Sequence, residues 1–94
     1  MILQCKKTFD IVKMVSYIIK KSTRIHKKYM AVFSDGRPSV HFGDNRYEQY
    51  EDKTTLRLYS KLNHKDEKRK KAYYERHGKA VMYSAKWFSH KYLW

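Results

Sequence analysis

Ile11, Val12, Val15, Ile18 and Ile19 recur at i, i+1, i+4, i+7 and i+8, which places them in one stripe of a helix. The spacing predicts an amphipathic helix over 8–21, with Thr8 or Asp10 as its cap and Lys13, Ser16 and Lys20 opposite the stripe. Ser22 to Lys28 follows as a polar, basic connector. The pattern then changes period. Tyr29-Met30-Ala31-Val32-Phe33 is rich in strand formers, Ser34-Asp35-Gly36-Arg37 is a turn centred on Asp-Gly, and Ser39-Val40-His41-Phe42 returns. Pro38 stands at the start of the second strand, where its missing N–H does least harm. Gly43 and Asp44 close the hairpin. A lone hairpin does not hold in water, so a helical or aromatic element must cover one of its faces.

Downstream, 44–52 reads as a loop or short helical turn, and Leu56, Leu58, Tyr59 and Leu62 as a small second apolar cluster. A helix is predicted over 64–77. Asn63 is placed to cap it, Asp66 and Glu67 suit the positive end of its dipole, and Gly78 is the stop. A last helix is predicted over 84–93, with Ser84 as N-cap and Tyr83 stapled against Phe88. Tyr29, Phe33, Phe42, Tyr73, Trp87 and Trp94 are the expected core. The fold class is therefore α+β: a small antiparallel hairpin sheet covered by two C-terminal helices. Residues 1–26 are expected to form an amphipathic helical arm with its connector, and 27–94 a small basic domain.

Charge changes the picture most. Lys and Arg number 22 against 9 Asp and Glu, a net charge of +13 on 94 residues. Such a chain repels itself and attracts polyanions, of which nucleic acid is the commonest. Lys65, Lys68, Arg69, Lys70 and Lys71 on the predicted 64–77 helix are the first candidates for phosphate or acidic-partner contacts, with Arg76 near them. Lys20, Lys21, Arg24, Lys27 and Lys28 form a second cluster. The stripe residues Ile11, Val15 and Ile18 are candidates for docking on a partner.

Other chemistries find little support. One cysteine, Cys5, excludes an internal disulfide framework and points to a reducing compartment. The five histidines do not pair at ligand spacing, and one cysteine cannot complete a zinc site, so no metal or cofactor is expected. There is no phosphate-binding glycine loop, no nucleophile elbow and no His-Glu-x-x-His, and the expectation is a protein that is not an enzyme. The most apolar stretch, 11–19, is broken by Lys13, so neither a membrane span nor a secretion signal is expected.

Several runs carry a resemblance: Val40-His41-Phe42-Gly43-Asp44, Arg46-Tyr47-Glu48-Gln49-Tyr50, Asp52-Lys53-Thr54, Leu58-Tyr59-Ser60, His64, Asp66, Tyr73-Tyr74, Arg76-His77-Gly78-Lys79 and the ending from Ser84 to Trp94. Together they resemble a family of short basic proteins of unknown function encoded by nucleocytoplasmic large DNA viruses (giant viruses) of protists and algae. They are more loosely similar to short phage-encoded domains. The resemblance covers about 27–94 and brings no activity and no catalytic residues. It implies a viral origin and a framework in which Arg76 and His77 pack beneath the final aromatic segment, with Arg76 over a tryptophan face. The expectation that follows is a non-enzymatic virion protein, made in the host cytoplasm or nucleus. It would be a minor capsid or internal component whose basic surface meets capsid proteins or packaged DNA. The alternative is a sequence-nonspecific DNA- or RNA-binding accessory protein of the infected cell.

Overall fold

The computed structural model of the protein describes residues 15–94. Three strands, β1 (Tyr17–Lys21), β2 (Lys27–Phe33) and β3 (Val40–Asp44), form an antiparallel meander in that order. A 3-10 turn at Ser60–Leu62 precedes two helices, α1 (Glu67–His77) and α2 (Ala85–Tyr92). The α+β class, the hairpin and both C-terminal helices are as the sequence predicts.

The predicted helix over 8–21 is not what forms at its C-terminal end. Tyr17–Lys21 is a strand paired with β2, Tyr17 opposite Phe33 and Ile19 opposite Ala31. The physical reason lies in the residue types. Tyr17, Ile18 and Ile19 are aromatic or β-branched, and an edge of the hairpin was free to accept them. Tyr17 and Ile19 turn toward the core while Ile18 is 57 % exposed on the opposite face, an alternation of period two. The remainder of that predicted helix lies outside the described residues.

The core lies between the sheet and α2. Tyr29, Ala31 and Phe33 of β2, Phe42 of β3, Phe88 of α2 and Leu93 are buried. Phe88 has the Tyr17 ring 5.1 Å away edge-on and the Phe42 ring 5.4 Å away in a stack. Trp87 and Trp94 are partly buried around this centre. Leu56 and Leu58 are exposed, so the second apolar cluster contributes only its Tyr59 to the core.

Helix ends are set by local chemistry. Ser84 caps α2 by accepting from the Trp87 N–H, and the Tyr83 ring stacks on Phe88 as predicted. Gly78 ends α1 at φ +63°. The cap of α1 is Asp66, whose side chain accepts from the Lys68 and Arg69 N–H groups, rather than Asn63. Asn63 is committed elsewhere: its Oδ1 accepts from Gln49 Nε2 at 2.6 Å and from the Asp52 N–H at 2.7 Å. The C-terminal segment closes the fold, with Leu93 and Tyr92 carbonyls accepting from the Glu51 and Lys53 N–H groups. No helix among the described residues is long and apolar enough to cross a membrane.

Candidate nucleic-acid interface

Between β3 and the helices runs a long loop, 45–59, and its position decides what the surface presents. The loop carries no strand or helix, so its backbone polar groups need other partners. Buried side chains supply them. Lys28 is 2 % exposed, and its Nζ donates to the Tyr47 carbonyl at 3.0 Å and to Gln49 Oε1. Gln49 Nε2 donates to the Tyr59 carbonyl at 2.8 Å. Asp52 ties the far end of the loop to the Tyr29 hydroxyl and to the N–H groups of Thr54 and Tyr59. The loop is therefore pinned from beneath, and Tyr47 and Glu48 are held at fixed places on the surface.

Lys28 stands among the predicted phosphate-contacting residues, and here the structure corrects the sequence. Its ammonium is directed inward, because a loop with unpaired carbonyls needs a donor and Lys28 is the cation beneath it. Burial lowers its pKa from 10.5 to about 8, partly opposed by Asp52 and Asp44. Between those values the unfolded chain holds the proton and the folded chain releases it, so stability rises with pH across that window and the penalty is fully present below it. Urea unfolding of the wild type and of Lys28→Met at pH 7 to 10.5 is expected to show their difference shifting in favour of the wild type as pH rises. The shift is on the order of 3 kcal/mol. A difference that stays flat with pH contradicts the buried placement.

Above this platform a groove of about 570 Å³ opens between the sheet and the helices. Its floor is Phe42, Gly43 and Leu93, and its walls carry Lys27 of β2, Arg76 and His77 of α1, and Lys86 of α2. A continuation of about 290 Å³ follows α1 past Ala72 to Arg69, and Tyr47, Glu48, Arg76 and Trp94 line both parts. Arg69, Ala72 and Arg76 share this lining because residues three, four and seven apart lie on one helix face.

Electrostatics gives the groove its sign. Its two carboxylates are already paired. Asp44 bonds Arg46 at 2.8 Å, and Glu48 bonds Arg69 at 2.9 Å. The hydrogen bonds from Arg46 hold Asp44 well below the usual carboxylate range, and the bond from Arg69 lowers Glu48. Lys27, Arg76 and Lys86 form no ion pair with a carboxylate among the described residues. The Lys86 ammonium donates to the His77 carbonyl at 2.9 Å. Burial first, and then Arg76, Lys86 and His90, lower the His77 pKa, so its imidazole is neutral at neutral pH.

The aromatic framework around Arg76 differs in detail from the one the resemblance implies. The ring stacked on Trp94 is Tyr73, 4.3 Å away and within 6° of parallel, and His64 lies 5.2 Å from the same indole. His90 fixes Tyr73 from the other side. Its Nε2 donates to the Gly78 carbonyl at 2.9 Å, and Nδ1, left as the acceptor, takes the Tyr73 hydroxyl at 3.0 Å.

The predicted cations divide. Lys65, Lys68 and Lys71 are exposed near the start of α1. Arg69 and Lys70 turn back on the body, Arg69 to Glu48 and Lys70 over the Tyr50 ring at 4.5 Å. Lys20, Lys21 and Arg24 are exposed on or beside β1, the sheet edge away from β3, and do not line the groove. Lys27 and the buried Lys28 are the members of that cluster which do, and of the two only Lys27 is not committed to the loop. Val15 packs against the core, Ile18 faces outward and Ile11 lies outside the described residues, so the stripe is not presented as one face. The sequence alone does not single out Tyr47 or Lys86. Nothing local marks them, since they meet only when β3, the loop and both helices have folded. Arg76 had a local signal in its seven-residue spacing from Arg69. Among the described residues no group of three His, Cys, Asp or Glu side chains is placed to hold a metal ion.

These features define a small α+β protein with a basic, aromatic-lined groove. Residues 17–54, which hold all three strands and the pinned loop as far as Thr54, match the model of a family of unknown function (DUF5754). The match starts at β1, ahead of the span of the sequence resemblance, and leaves both helices outside it. No curated protein and no solved structure matches the chain.

Proposed function

We propose that this protein is a non-enzymatic component of a virus particle, a minor capsid or internal protein whose basic surface contacts packaged nucleic acid without reading its sequence. The observation that carries the binding half is the groove, where both carboxylates are paired and Lys27, Arg76 and Lys86 are left for an anion. The viral half rests on the resemblance of 27–94 to basic proteins of large DNA viruses. A second feature supports binding: Lys68 and Lys71 of α1 are exposed and form no ion pair with a carboxylate among the described residues.

Replacing Lys68, Arg69, Lys70 and Lys71 together with glutamine is expected to weaken binding to random and fixed-sequence duplexes alike. The slope of log affinity against log salt should become shallower by about 2–3. These side chains are at the surface, and the Arg69–Glu48 pair is exposed, so the fold should survive the change. Unchanged affinity would remove the basic run 68–71 from the interface and leave the groove residues Lys27, Arg76 and Lys86. Mass spectrometry of purified particles tests the setting. Presence of the protein supports a virion component, and absence moves the same binding surface to an accessory protein of the infected cell.

A further inference from the structure

Tyr47 is 66 % exposed and lines both parts of the groove. A single exposed ring is ordinary on a protein surface. This one differs in how it is held and in what surrounds it. Its backbone is fixed at both ends, the N–H donating to the Asp44 carbonyl at 3.2 Å and the carbonyl accepting from the buried Lys28 ammonium at 3.0 Å. The Arg46 guanidinium lies 5.9 Å from the ring centroid and is itself fixed by Asp44. Trp94, the other aromatic group shared by both parts of the groove, is stacked on Tyr73 and has His64 beside it. Tyr47 is thus the more open of the two rings, with Arg46 near it, in a lining that also carries Lys27, Arg76 and Lys86.

We propose that the groove takes a single strand of nucleic acid, with an unpaired base stacked on the Tyr47 ring and adjoining phosphates on Lys27, Arg76 and Lys86. This deepens the nucleic-acid reading above and rests on it. A base in a duplex has both faces covered by its neighbours and offers a protein only its edges and backbone, so an exposed ring gains nothing from it. An unpaired base offers a face to any ring, which makes the contact tolerant of sequence, and phosphates track the positive walls. The groove's volume, about 570 Å³, is in the range of small-ligand sites and is enough to seat an unpaired base with its sugar and phosphate beside Tyr47.

The test compares a labelled thymidine single strand of about a dozen nucleotides with a random duplex of equal length, by anisotropy at low salt. The single strand is expected to bind more tightly. Tyr47→Leu should weaken single-strand binding about 5- to 100-fold and leave the duplex unchanged, while Tyr47→Phe keeps the preference. The side chain is exposed and its backbone bonds do not depend on it, so circular dichroism should show both variants folded. Equal binding of strand and duplex, or a preference that survives Tyr47→Leu, overturns this inference and leaves the phosphate-binding reading standing. Failure of both probes to bind overturns the two together and turns the basic surface toward an acidic protein.

Discussion

Asp52→Ala is expected to lower the melting temperature by more than about 10 °C, a loss of roughly 3–5 kcal/mol. Asp52 is 2 % exposed and organises four donors. One carboxylate oxygen accepts from the Thr54 N–H at 3.0 Å and the Thr54 hydroxyl at 2.6 Å; the other accepts from the Tyr29 hydroxyl and the Tyr59 N–H at 3.1 Å. The Tyr29 hydroxyl in turn accepts from the Leu58 N–H at 2.9 Å. Burial and the bond to Asp52 push the Tyr29 pKa up to about 12, so the hydroxyl stays protonated and donating. Alanine strands these donors away from water, and each costs about 1–3 kcal/mol. A small domain has about 5–10 kcal/mol of stability in all, so much of it depends on one carboxylate. Asp52→Asn should fall between, because one oxygen still serves Thr54 while the amide faces the Tyr59 N–H. Thermal unfolding by circular dichroism decides it. A melting point within a few degrees of the wild type would mean that the loop is held by other means.

Gly43→Ala should cost nearly as much, about 2–4 kcal/mol, by a different route. Gly43 has φ +76°, and a Cβ built there would lie 2.7 Å from Leu93 Cδ1 and 3.2 Å from the Lys28 Cβ. Both neighbours are buried and neither can move aside freely. Gly78 provides the control within the same molecule. It also has positive φ, at +63°, but a Cβ there meets nothing within 4 Å. Gly78→Ala should therefore cost only the backbone strain, about 1–3 kcal/mol. The difference between the two variants in urea unfolding reports the crowding against Leu93 and Lys28. Equal effects would show that the C-terminal segment does not press on β3.

Much of the fold was legible because it is written locally. Asp35-Gly36 between two strand-rich runs, Ser84 before α2 and Gly78 after α1 each act through a few neighbouring residues. β1 is ambiguous in the sequence because Val15, Ile18 and Ile19 satisfy a helical stripe while Val15, Tyr17 and Ile19 satisfy a strand. The free edge of β2 settles that choice, and only the folded hairpin supplies it. Asn63 misled for a related reason: its side chain bonds Gln49 and the loop backbone rather than its own helix. Lys28 read as surface charge because a lone lysine in a basic run carries no sign of the two carbonyl oxygens it will meet. The basic character of the site was plain, yet the groove itself joins β2, the loop, α1 and α2, and no segment of sequence holds it.

The proposed function requires the basic surface to hold phosphates. Its most direct test is the binding of the wild-type protein to random-sequence DNA, followed by fluorescence anisotropy across a salt series. Log affinity is expected to fall linearly with log salt with a slope of about −3 or steeper, near −0.9 for each phosphate neutralised. Weak binding at the lowest salt, or affinity that does not change with salt, would contradict it.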